Sequence, residues 1–74
     1  MITTGGVNVT GAELKKLRIN RCLTQRKLAE LLGYKGRGGE MTVQNWEYDK
    51  QPIPLKHFRA LSKILDVPLE KFIP

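Results

Sequence analysis

The sequence predicts an all-α fold, with five short helices in one compact domain and an extended glycine-rich turn near its middle. Three observations lead there. Apolar residues recur three and four positions apart in successive stretches, the period of one helix face. Thr10 and Thr24, both good capping residues, stand just before two of these stretches. Gly33, the glycines of residues 36–39, Pro52 and Pro54 fall between the stretches as breaks.

The elements follow in order. Residues 1–9, with Thr3, Thr4, Gly5, Gly6 and Asn8, read as a flexible arm, leaving 10–74 as the folded domain. Thr10-Gly11-Ala12-Glu13 fits a capping box, in which the Thr hydroxyl accepts an orphan amide and Glu13 reaches back to the cap. Leu14, Leu17 and Arg18 share one face of the helix that follows, which ends near Asn20 or Arg21. Thr24 caps a second helix of strong formers, with Leu28, Leu31 and Leu32 as its apolar stripe and Gly33 as its stop. Residues 34–39, Tyr-Lys-Gly-Arg-Gly-Gly, are expected to lack regular structure. A third helix is expected from about Glu40 to Tyr48, with Val43 and Trp46 inward. A fourth starts close to Pro54 and turns Leu55, Phe58, Leu61, Ser62 and Leu65 inward, and a last short helix fits Pro68 to Ile73.

Composition narrows the function. The chain has 74 residues, of which 13 are Lys or Arg and 7 are Asp or Glu, giving a net charge of +6. Such an excess suggests a polyanionic partner, although charge alone also keeps a small protein soluble. Cys22 cannot form an internal disulfide, and with His57 it is too little for a structural zinc site, so a reducing cytoplasmic location fits best. No apolar run approaches the about 20 residues of a membrane span, and the first residues are unlike a secretory signal. The chain lacks a nucleophile–base pair, a metal cluster and a glycine loop following a strand, which argues against an enzyme, a metal or another cofactor, and a small-molecule ligand.

Helix two, a turn and helix three have the layout of a unit that lays its second helix in the DNA major groove while the first crosses the backbone. The order of Leu17-Arg18, Arg21, Leu23-Thr24-Gln25, Leu28-Ala29, Leu32-Gly33, Val43, Trp46-Glu47, Lys50, Pro54, Leu61 and Leu65-Asp66-Val67-Pro68-Leu69 resembles the lambdoid phage repressor and Cro (XRE-like) family of helix-turn-helix proteins, from about Thr10 to Ile73. The resemblance implies a repressor-like domain. It places Glu40, Met41, Gln44 and Asn45 at base-facing positions. Gln and Asn side chains suit adenine, Met41 a thymine methyl and Glu40 a cytosine amine. It places Thr24 and Gln25 at the start of helix two and Lys50 after helix three on phosphates, and it makes Arg18 and Glu47 a structural ion pair. Arg21, Arg26, Lys27 and Lys56 are weaker phosphate candidates that a solvated basic face explains as well. Trp46 reads as core, and His57 as a surface residue. Cys22 stands where the family often has glycine, and a slightly different turn that avoids left-handed backbone is expected there.

The chain departs from the family in the spacing between helices two and three, and the excess lies in Lys35-Gly36-Arg37-Gly38-Gly39. One reading is an extended surface loop of small entropic cost. The other is a basic finger whose Lys35 and Arg37 contact phosphate or enter a groove. The functional expectation is a sequence-specific regulator of transcription, a repressor, that binds double-stranded DNA as a homodimer on a palindromic operator. Its dimer surface is expected at Phe72 and Ile73 and in residues 1–9. The alternative is an antitoxin or adaptor that uses the same fold to bind another protein.

Overall fold

A computed structural model describes residues 9–72. Four α-helices follow one another: α1, Gly11–Asn20; α2, Gln25–Leu31; α3, Gly36–Glu47; and α4, Phe58–Leu65. A 3₁₀ turn, Leu55–His57, leads into α4, and another, Leu69–Lys71, follows it. The expected fifth helix is therefore one 3₁₀ turn, and no strand occurs among the described residues. No helix among them is long and apolar enough to cross a membrane.

Both predicted threonine caps form. Thr10 Oγ1 accepts the Glu13 amide at 3.1 Å, and Thr24 Oγ1 accepts the Lys27 amide at 2.9 Å. The return half of the capping box does not form, because the Glu13 carboxylate instead meets Lys71 Nζ at 2.8 Å.

All four helices end in the same way, on one left-handed residue. These residues are Cys22 (φ 58°), Gly33 (φ 101°), Asp49 (φ 59°) and Asp66 (φ 58°). After α1, the Leu23 amide bonds the Arg18 carbonyl at 3.1 Å and the Cys22 amide bonds that of Ile19 at 2.8 Å. This paired closure satisfies orphan carbonyls and requires the left-handed residue between. Contrary to the expectation from sequence, Cys22 thus adopts the strained left-handed turn, and two backbone hydrogen bonds hold it there.

The core gathers Val9, Leu14, Leu28, Ala29, Val43, Trp46, Ile53, Phe58, Leu61, Leu65 and Phe72. Each large apolar side chain so buried contributes about 1.5–3 kcal/mol over leaving it in water. Val9, placed by sequence in the arm, is buried, and residues 1–8 lie outside the described residues. Leu31, expected in the apolar stripe, is exposed, and Ala29 is buried in its stead. Phe72 is not a surface for a second copy. It is fully buried and stacks on Phe58 at 5.6 Å between ring centroids, while Ile73 lies outside the described residues.

The largest correction concerns residues 36–39. They form no loop. They are the first turn of α3, entered through Gly36 in a left-handed conformation (φ 67°). Glycine costs a helix interior about 1 kcal/mol per residue, so local preference alone opposes this turn. Packing favours it. A Cβ on Gly39 would sit 3.0 Å from Ala29 Cβ and 2.5 Å from Tyr34 Cβ, so the bare backbone lets α3 lie close on α2.

Candidate nucleic-acid interface

The unit consists of α2, the connector Leu32–Lys35 and the twelve-residue α3. Residues 36–39 form the first turn of that second helix and leave a short connector. They are thus helix in place of the extended loop or finger expected there, with Lys35 just before it and Arg37 in its first turn.

The inner face of α3 is fixed at its carboxyl end. Arg18 Nε donates to Glu47 Oε2 at 2.6 Å, and Arg18 Nη2 to Glu47 Oε1 at 3.2 Å. Arg18 Nη1 donates to the Leu23 carbonyl at 2.7 Å, and Gln25 Nε2 to Glu47 Oε1 at 3.0 Å. Arg18 and Glu47 are both buried, so a two-pronged, charge-assisted pair joins α1 to α3 and, through Gln25, to the start of α2. The Gln25 amide nitrogen, assigned to phosphate by resemblance, is committed to this network. The Thr24 hydroxyl, assigned likewise, serves the α2 cap.

A second lock joins the start of α1 to the end of α3. The Gly11 amide donates to Asp49 Oδ1 at 3.0 Å, and a Cβ on Gly11 would overlap the Glu47 carbonyl oxygen. Trp46 is buried beside these contacts.

His57 is not a surface residue. It is buried, its Nε2 shares a 2.8 Å hydrogen bond with Tyr34 Oη, and its ring lies 5.4 Å from that of Tyr34 and 5.5 Å from that of Trp46. Burial, and then the neighbouring Lys56 charge, hold its pKa below the ordinary 6.5.

The outer face of α3 carries Arg37, Met41, Gln44, Asn45 and Tyr48 at spacings of three and four. Arg37, Met41 and Tyr48 are exposed, and Gln44 and Asn45 half-exposed. From Arg37 to Tyr48 this stripe is about 16 Å long. Glu40 sits to one side, facing α2, where its carboxylate meets Arg26 Nη2 at 3.1 Å. The acidic residues on α3 are thus both paired with arginines. Lys35, Arg37 and Lys50 are exposed and make no ion pair among the described residues. The arrangement leaves uncompensated positive charge at both ends of an exposed polar helix face, suited to a polyanion whose groove admits one helix.

Two residues of this surface carry no clear mark in the sequence. Tyr48, 58% exposed, continues the stripe one turn beyond Gln44, and the four-residue spacing is the only signal for it. Arg26 reads there as solvated charge, and no local pattern couples it to Glu40, fourteen positions away.

A family model described as helix-turn-helix matches residues 14–72. No curated protein and no solved structure matches the chain. The matched span holds α2, α3, the Arg18–Glu47 pair and most of the core. The chain belongs to the XRE/Cro-like helix-turn-helix family, a family of DNA-binding transcription regulators.

Proposed function

We propose that the protein is a sequence-specific repressor that lays the outer face of α3 in the major groove of its operator. Glu40, Met41, Gln44 and Asn45 meet base edges there, with Arg37 at the start of the same face. Lys35, Arg37 and Lys50 meet flanking phosphates, and Thr24 and Gln25, whose side chains serve the cap and the Glu47 network, approach them through the backbone at the start of α2. The observation that carries this reading is the contrast between the faces of α3. The inner face is held by Trp46, Val43 and the Glu47 network, and the outer face is polar and open. A rigidly held helix with a free polar face is what direct readout of base edges requires.

One reading helix gives limited specificity, so a homodimer on a palindrome is part of the proposal, with half-sites about 34 Å apart. Selection of bound sequences from random DNA tests it, and a two-fold symmetric consensus is expected. Gln44→Ala and Asn45→Ala should each relax one position and cost about 1–3 kcal/mol, and Lys50→Ala should weaken all sequences alike. A reporter with the selected site across its promoter should then be silenced. Binding without sequence preference at physiological salt would sink the proposal.

A further inference from the structure

Arg26 and Glu40 form the one ion pair among the described residues that bridges α2 and α3, across the side of the unit next to the open face of α3. Its geometry is lopsided. Arg26 Nε (3.3 Å) and Nη2 (3.1 Å) both donate to Glu40 Oε1. Glu40 Oε2 has no partner among the described residues. The two side chains stay 48% and 38% exposed, so water still reaches them.

A carboxylate close to DNA is ordinarily a liability, because the phosphates repel it. Here the guanidinium offsets that charge and holds one carboxylate oxygen, which fixes the side chain and leaves the second oxygen to accept. An exposed pair of this kind adds little to stability. Its value lies in orientation. In the major groove an acceptor-only group matches an exposed amine, and a carboxylate matches the N4 amine of cytosine. Glu40 lies one turn before Gln44, so a base it reads adjoins the one Gln44 reads.

We infer that Glu40 reads a cytosine amine through its free oxygen and that Arg26 is the positioning residue that makes this readout possible. The inference rests on the proposed placement of α3 in the major groove.

The test is selection from random DNA by the full chain and by Glu40→Gln, Arg26→Ala and Arg26→Lys, followed by affinities for the consensus and its single-base variants. Glutamine can pair with adenine, so Glu40→Gln should move one position in each half-site from cytosine to adenine and keep the other positions. Arg26→Ala should lower the discrimination for cytosine at that same position about tenfold, beyond its general loss of affinity. Arg26→Lys restores the charge without the two-nitrogen grip. It should recover the general affinity and only part of the discrimination. The inference is overturned if the cytosine preference survives Arg26→Ala, if Glu40→Gln strengthens all sequences equally, or if Arg26→Ala removes a guanine preference instead. Each of these differs from failure of the underlying proposal, in which the unaltered chain selects no consensus.

Discussion

The two ends of α3 are built on different principles. At the carboxyl end, Glu47 takes hydrogen bonds from Arg18 and Gln25, Gly11 lies against its carbonyl, and Asp49 caps the first amide of α1. At the amino end, Lys35 caps the helix without a side-chain bond, and Gly36 and Gly38 face open space. The carboxyl end sets how the helix is aimed. The amino end is a turn of low intrinsic preference carrying the unpaired charges of Lys35 and Arg37. Orientation is thus fixed at one end of the helix, while the other end carries charge with little side-chain anchoring of its own, and substitutions at the two ends should have unlike consequences.

The largest difference should come from Glu47→Ala. It leaves the Arg18 guanidinium buried without its carboxylate, at a cost of about 3–5 kcal/mol. Lys35→Ala at the other end should change stability by no more than about 0.5 kcal/mol and weaken DNA binding at low salt. Urea unfolding of both variants checks the contrast. Similar losses would mean that the two ends are not mechanically distinct.

Gly39→Ala locates the boundary between the two regimes. The new methyl would lie 2.5 Å from Tyr34 Cβ and 3.0 Å from Ala29 Cβ, neither of them the end of a flexible side chain. Overpacking of this kind costs about 1–3 kcal/mol, and the gain in helix propensity offsets only part of it. A fall in urea midpoint is expected. An unchanged midpoint would show that the helices do not approach closely at this position.

These ends also differ in how far they could be read from sequence. Thr10 and Thr24 announce caps because their chemistry is local, and the Arg18–Glu47 pair follows from the family resemblance. The helical state of residues 36–39 is set by the contact of Gly39 with α2, which tertiary packing supplies and local preference opposes. The left-handed stops at Asp49 and Asp66 are only weakly marked, since Asp tolerates this backbone less freely than the glycine at position 33, and the one at Cys22 is signalled only by the glycine the family often has there. Phe72 and His57 look like surface residues near an end and a helix start. Their burial depends on Phe58 in one case and on Tyr34 and Trp46 in the other. On the candidate DNA face, the Arg26–Glu40 pair is a product of how α2 and α3 cross, which no periodicity encodes.

His57 connects the two ends, since Tyr34 precedes α3 and Trp46 lies near its close. Its pKa is lowered in the folded state, so the unfolded chain takes up the proton more readily. The folded state therefore has its full advantage above the ordinary 6.5 and loses it as pH falls from there through the lowered folded value. The Tm should drop across that interval, and His57→Gln should remove this part of the drop. An equal drop in the variant would assign it to other groups.

A modest gain in stability is the expected effect most specific to the amino end. A methyl group on Gly38 would have no neighbour within 4 Å, and the backbone of Gly38 is that of the helix it belongs to. Alanine there meets no obstacle and removes conformational freedom from the unfolded chain, so Gly38→Ala should raise stability by about 0.5–1 kcal/mol. Affinity for the selected operator should stay unchanged, because contact on this turn is assigned to the Lys35 and Arg37 side chains. A gain in stability joined to a loss of affinity would show that DNA needs the bare backbone at Gly38. No gain in stability would show that the first turn of α3 is not helical in the free protein, and the contrast between the two ends would then be one of order against its absence.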